Sequence, residues 1–249
     1  MLNSGLVSVT FRKLKPREVV DLVAQAGLAG IEWGGDIHVP HGDAARAREA
    51  AKMTKEAGLK VAAYGSYYYA GEAGSPAFEG VLDSALELGA TLIRIWAGKK
   101  SPSEANVADR KKVVDDSLRV AEMAAKRKIT VAFEFHNNTL TETTESAVQL
   151  LKEIARPNVR SYWQPHGKEP MKTQLEGLDA VLPWLAHVHC YCWIGNERQP
   201  LEAGEPQWKQ YLARIRKAKG DRYVMIEFVK DDSPDAFLRD AATLRKWLG

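Results

Sequence analysis

Ile129-Thr130-Val131-Ala132-Phe133-Glu134-Phe135-His136 is followed a few residues later by the run from Thr143 to Ile154. The first stretch is rich in β-branched and aromatic residues, and its apolar side chains recur at every second position, as a strand requires. The second is amphipathic with a helical period. Together they read as one strand-helix unit, and the same pairing repeats along the chain. Strand-like runs begin near Leu6, Gly30, Lys60, Thr91, Ile129, Val159, Ala186 and Tyr223. They start about 24 to 38 residues apart, close to the roughly 30 residues that a strand and its crossover helix occupy. Helical segments fill the gaps: Pro16 to Ala24, Asp43 to Ala57, Pro76 to Leu88, Val107 to Arg127, Thr143 to Ile154, Gln207 to Ala218 and Pro234 to Leu248. Several stop at glycine, at Gly27, Gly58 and Gly89, where a left-handed cap suits that residue. The segment from Met171 to Leu185 carries Gly177 and Pro183 and is the least regular. Eight unbroken units predict a single (β/α)8 TIM barrel over residues 1–249. A doubly wound open sheet would place a glycine-rich phosphate loop after its first strand, and Thr10-Phe11-Arg12-Lys13-Leu14 stands there instead.

Composition narrows the partners. The 249 residues are 45% hydrophobic and 27% charged, with a net charge of +3, too small to announce a nucleic-acid or membrane partner. No basic leader with an apolar stretch precedes Leu6, and no apolar run approaches the ~18 residues that span a bilayer. Two cysteines, Cys190 and Cys192, exclude a disulfide scaffold and fit a reducing, cytoplasmic compartment.

In a barrel, functional side chains sit at the carboxyl ends of strands and point inward. Alternation along a strand then sorts the candidates. Val131, Phe133 and Phe135 pack outward, leaving Ala132, Glu134 and His136 inside. By the same rule Met225 and Glu227 point in, and His187, His189 and Tyr191 share a face opposite Val188, Cys190 and Cys192. Arg94 and Trp96 share a face opposite Ile93 and Ile95, and Gln164 and His166 have equal parity on the sixth strand. A lone inward glutamate would serve as an ion-pair partner for Arg94, and a lone histidine as a hydrogen-bonded core residue. Two carboxylates and an imidazole at one depth would repel and desolvate one another unless a cation held them. Oxygen and imidazole donors together suit Mn, Co, Zn or Mg. His38 and His41 have a spacing suggestive of metal but read better as surface histidines on a loop. Cys190 and Cys192 read as outward packing.

These residues resemble the xylose isomerase-like TIM-barrel superfamily, the sugar phosphate isomerase/epimerase group. The resemblance covers essentially the whole chain. It is carried by Gly30-Ile31-Glu32-Trp33, Ile93-Arg94-Ile95-Trp96-Ala97-Gly98, Glu134-Phe135-His136, His187-Val188-His189 and Ile226-Glu227. It implies a divalent metal held by Glu134, Gln164, His189 and Glu227. The family has Asp where this chain has Trp163-Gln164-Pro165-His166: counting back from His166 points to Trp163, and strand parity to Gln164. It further implies isomerisation or epimerisation of a small sugar, sugar phosphate or hydroxy-keto acid. One of Glu134 and Glu227 would remove the proton alpha to a carbonyl and the other return it. His166 and Arg198 would contact substrate, with Trp33, Tyr64, Trp96 and His136 around the pocket, joined by Tyr67, Tyr68 and Tyr69. Glu32 is placed near the mouth. Three other readings stay open: a polyol dehydratase, a metal-dependent hydrolase on the same barrel, and a non-catalytic sugar-binding barrel. Family members are often dimers or tetramers, and nothing in the sequence marks an interface.

Overall fold

The computed structural model describes residues 1–165 and 169–249. Its strands are β1 (Leu2–Val7), β2 (Gly30–Gly34), β3 (Lys60–Tyr69), β4 (Leu92–Trp96), β5 (Thr130–Phe133), β6 (Val159–Trp163), β7 (Leu185–Cys190), a short hairpin of β8 (Trp193–Ile194) and β9 (Glu197–Arg198), and β10 (Arg222–Ile226). The hairpin apart, they pair in parallel and close in the order β1-β10-β7-β6-β5-β4-β3-β2. The helices α1 (Pro16–Gln25), α2 (Ala44–Glu56), α3 (Phe78–Leu88), α4 (Val107–Lys126), α5 (Thr144–Ile154), α6 (Met171–Val181), α7 (Glu205–Ile215) and α8 (Pro234–Leu248) return the chain between strands or close it. This is a (β/α)8 barrel. The irregular segment resolves into α6, which runs through Gly177, and a 3-10 turn at Leu182–Trp184 that holds Pro183. A Cβ on Gly177 would lie 2.5 Å from Thr144 Oγ1, so the glycine lets α6 lie close against α5. Among the described residues no helix is long and apolar enough to cross a membrane.

Alternation divides the apolar residues into two layers. Val7, Ala63, Leu92, Ala132, Tyr162 and Met225 fill the barrel interior. Ile31, Trp33, Ile93, Ile95, Val131, Phe133, Val188, Cys190, Val224 and Ile226 face outward into the larger core shared with the helices. Each Val, Leu, Ile or Phe so buried contributes roughly 1.5–3 kcal/mol, and that sum sets the register. Arg94 lies opposite Ala132 and Met225 opposite His189. The ladder continues one residue past the strand ends, where Glu134 N–H donates to Ile95 O at 3.1 Å and Glu227 N–H to Cys190 O at 3.0 Å. Both glutamates are therefore held by backbone at the carboxyl rim and turned inward.

Two of the aromatic expectations fail here. Trp33 lies on the outward face of β2, fully buried, and its Nε1–H donates to Thr54 Oγ1 of α2 at 3.1 Å. Tyr64 lies on the outward face of β3, where its hydroxyl donates to Val39 O at 2.8 Å. Neither ring reaches the interior, because odd and even positions of a strand cannot share a face. The surface reading of His38 also fails. It is buried, with Nδ1 2.9 Å from Ser8 Oγ and Nε2 3.1 Å from Leu14 O, so both ring nitrogens are engaged away from any metal. His41 is half-buried, its Nε2 accepting from Tyr67 N–H at 3.4 Å. Cys190 and Cys192 are buried, free thiols on the outward face, as expected.

Candidate functional site

At the carboxyl end of the barrel, Glu134, His189 and Glu227 bring ligand atoms within 4.8 Å of one another, all three residues buried. His189 Nδ1 is the hub. It lies 3.4 Å from Glu134 Oε1, 3.4 Å from Glu227 Oε2 and 3.1 Å from Gln164 Oε1. The Gln164 amide is fixed by its Nε2–H, which donates to Phe135 O at 2.6 Å. Parity sorts β6 as well: Tyr162 points inside, Trp163 packs outward with Trp208 and Tyr211, and Gln164 turns toward the cluster. Gln164, not Trp163, faces the centre.

Beneath this cluster lies a buried polar layer. Glu32, fully enclosed, accepts from Arg94 Nε–H at 2.7 Å and from Tyr162 O–H at 2.7 Å, and its Oε2 is 3.5 Å from His189 Nε2. Arg94 also pairs through Nη1 with Glu134 Oε2, which accepts the Trp96 indole N–H at 2.6 Å. Gly65 makes room for this layer, since a Cβ there would stand 2.7 Å from Glu32 Oε1. Sequence reasoning placed Glu32 at the mouth. It instead sits below the imidazole, where a carboxylate orients a histidine by taking the hydrogen of its far nitrogen. The signal that could have found it is its position between the outward Ile31 and Trp33.

The electrostatics follow from burial and charge. Burial alone would raise the Glu134 pKa, but the nearby Arg94 and His189 outweigh it and hold the carboxyl down to about 2. Glu32 is likewise held below the usual carboxylate range, burial being overcome by Arg94 and His189. For His189 burial favours the neutral ring, yet Glu227, Glu32 and Glu134 raise its pKa well above the ordinary value. With a neutral imidazole, Glu32, Glu134 and Glu227 against Arg94 leave two negative charges in excess. A divalent cation would cancel that excess, and three oxygen donors with one imidazole nitrogen suit such an ion. The donor set fits a metal.

Above the cluster opens a cavity of about 890 Å³, walled by Tyr67, Trp96, Tyr191, Trp193 and Phe228 and edged by His136, Asn137 and Asn138. Trp96 and His136 both line this cavity, with ring centroids 5.1 Å apart. Tyr67 packs edge-on to Trp96 at 4.8 Å, whereas Tyr68 turns away to Asp116, donating to Oδ2 at 2.6 Å, and Tyr69 packs on the Trp96 ring at 4.5 Å. Arg198 stands behind the wall rather than in it. It pairs with Asp232, and its guanidinium lies 4.9 Å from the Phe228 ring and 5.5 Å from the Trp193 ring. Phe228, directly after Glu227, has φ 61°, a strained value for an aromatic residue. His166 lies outside the described residues.

A family model described as a xylose isomerase-like TIM barrel matches residues 20–247. The chain belongs to this family. A stretch of 103 residues is 29% identical to a 3-dehydroshikimate dehydratase of Bacillus anthracis, covering 39% of this chain and 35% of that relative's length. The structure of a probable 3-DHS dehydratase from Bacillus anthracis superposes with TM-score 0.81 at 19% identity, covering 98% of each chain. A D-allulose 3-epimerase from Methylomonas sp. gives TM-score 0.74 at 16% identity over 98% of this chain and 97% of the other. A xylose isomerase-like TIM-barrel protein from Mycobacterium smegmatis in complex with magnesium gives 0.72 at 15%, over 99% and 96%. At these identities the structural likeness establishes the fold. The relatives with a stated activity are enzymes.

Proposed function

We propose that the chain is a divalent-metal-dependent isomerase or epimerase of a small polyhydroxylated carbonyl compound, working by removal of the proton alpha to the carbonyl. The observation that carries this reading is the convergence of Glu134, Gln164, His189 and Glu227 on one point at the floor of the cavity. These four residues would hold the cation, whose role when bound is to polarise the carbonyl and the neighbouring hydroxyl and to stabilise negative charge on their oxygens. Magnesium in the Mycobacterium smegmatis relative supports that assignment, and Mn, Co and Zn suit the same donors.

The two glutamates are held unequally. Glu134 Oε2 receives two fixed donors, Arg94 and Trp96, which favour its ionised form. Among the described residues the Glu227 carboxylate has one direct charged partner, His189, and Arg94 acts on it only from farther off. Glu227 is therefore the group that takes the substrate proton. A carboxylate that moves a proton between adjacent carbons on one face suffices for isomerisation. Epimerisation additionally needs Glu134 to deliver a proton through Oε1, against the pull of Arg94. The aromatic wall of Tyr67, Trp96 and Trp193 would lie against an apolar sugar face, and Asn137, Asn138 and His136 offer hydrogen bonds to hydroxyls.

A second reading, dehydration of a cyclic hydroxy-keto acid, is favoured by the sequence match to the 3-dehydroshikimate dehydratase. It shares the proton abstraction and then expels a hydroxyl instead of returning the proton. Incubation of ketoses and hydroxy-keto acids in heavy water with added metal separates these outcomes. Deuterium appearing alpha to the carbonyl, with a rearranged product, supports isomerisation or epimerisation. Loss of one water with a new conjugated absorbance supports dehydration. No exchange and no product across the panel would leave a binding barrel. Glu227→Gln should abolish exchange even at metal concentrations raised to offset the roughly tenfold weaker binding that loss of a ligand charge brings.

A further inference from the structure

The cavity rim is polarised. Glu142 and Glu169 line the side formed by the loops after β5 and β6, and Arg12 lines the opposite side with Tyr67. Arg12 follows the 3-10 turn at Ser8–Phe11 that leaves β1. One terminal nitrogen of its guanidinium pairs with Asp36 and the other donates to the Tyr67 hydroxyl, while the group lies 5.8 Å from the Tyr67 ring centroid. A guanidinium carries five N–H donors. These two contacts set its plane and leave the others free, with the side chain about half exposed at 49%. The other arginines near the cavity are committed. Arg94 is buried between Glu32 and Glu134, and Arg198 is taken by Asp232 and the Val229 carbonyl behind the Phe228 ring. Among the described residues, Arg12 is thus the cation presented to the cavity with unengaged donors.

We propose that Arg12, steadied by Tyr67, binds an anionic group of the substrate, a carboxylate or phosphate ester, so that the chain acts on a charged hydroxy-carbonyl compound rather than a neutral sugar. This rests on the reading of the cavity as an active site. A planar fork held in place by Asp36 and Tyr67 is ready for two parallel hydrogen bonds to such a group, with little ordering left to do on binding. The acidic side of the rim repels the same group. The anion is thereby directed to the β1 and β3 loops, and the hydroxyl-bearing end toward Asn137, Asn138 and Gln164. The role assigned from sequence to Arg198 passes to Arg12.

Calorimetry with the full chain in the presence of magnesium tests the idea, using D-fructose, D-fructose 6-phosphate and hydroxypyruvate as probes. Wild type should bind at least one charged probe more tightly than D-fructose, and which one distinguishes phosphate from carboxylate. Arg12→Gln should weaken that probe on the order of 10- to 100-fold, as expected for two hydrogen bonds to a charged group, and leave D-fructose unchanged. Arg12→Lys should fall between, keeping charge but losing the fork. Tyr67→Phe should show a smaller loss. Equal affinity of wild type for charged and neutral probes, no charged probe bound at millimolar concentration, or equal weakening of both kinds by Arg12→Gln would overturn the proposal. Failure of the proton-abstraction reading is distinguishable, because it would abolish exchange in heavy water yet leave charge-selective binding intact.

Discussion

Replacing Glu32 with glutamine removes one charge and one acceptor from the layer under the cluster while keeping its shape. Three donor groups converge on the two oxygens of Glu32: Arg94 Nε–H, Tyr162 O–H and His189 Nε2. An amide offers a single oxygen, so at least one of them would face the NH₂ group in a site with no access to water. An unsatisfied buried donor costs about 1–3 kcal/mol, and breaking a buried charge pair about 3–5 kcal/mol. The two overlap, and Arg94 keeps Glu134, so a net loss of about 4 kcal/mol is expected from a total of roughly 5–15. That is close to a thousandfold change in the folded-to-unfolded ratio. Urea unfolding of the metal-free protein measures it, with Thr54→Val as control. That control removes two neutral hydrogen bonds, the one Thr54 Oγ1 accepts from Trp33 Nε1 and the one it donates to Ala50 O, and should cost about 2 kcal/mol. Divalent-ion affinity should also fall about 10- to 100-fold, since His189 loses the acceptor behind it. A Glu32→Gln midpoint no lower than that of Thr54→Val, or an unchanged metal affinity, would refute the role assigned to this layer.

Other outcomes follow from the same geometry. The Glu134 pKa, about 2 in the fold against an ordinary 4.5, gives a contribution of about 3 kcal/mol that is complete above pH 4.5 and is lost as pH falls toward 2. In Glu134→Gln that part of the acid-side slope should vanish from urea midpoints taken between pH 2 and 5. Gln164→Glu places a carboxylate oxygen beside His189 Nδ1, now 3.1 Å from the amide oxygen. It should raise divalent-ion affinity at least about tenfold by dialysis, as added ligand charge does, while lowering metal-free stability through repulsion with Phe135 O. Trp33→Phe should cost about 1 kcal/mol from the lost bond to Thr54 and leave probe binding and turnover unchanged, because the ring faces α2.

The strand positions and the inward glutamates were legible because burial imposes a strict period of two. Val131, Phe133 and Phe135 need the helix-facing core, which leaves Glu134 no alternative face. The same rule, applied to β2 and β3, turns Trp33 and Tyr64 outward, and the suitability of an aromatic ring for a pocket wall does not override parity. His38 was misplaced for another reason. Its partners Ser8 Oγ and Leu14 O come from the loop after β1, and nothing in the local sequence joins those two segments.

The sequence by itself determined the eight strand-helix repeats, the facing of Glu134, His189 and Glu227, and the outward packing of the two cysteines. Each depends only on short-range periodicity read against burial. The choice of Gln164 over Trp163, the placing of Glu32 under His189, the unequal hold on the two glutamates and the presentation of Arg12 rather than Arg198 to the cavity were decided only by the closed barrel. They depend on contacts between strands and loops far apart in the chain, such as Glu32 with His189 and Arg12 with Tyr67. Closure sets which side chains share the available donors, and alternation along one strand carries no information about that.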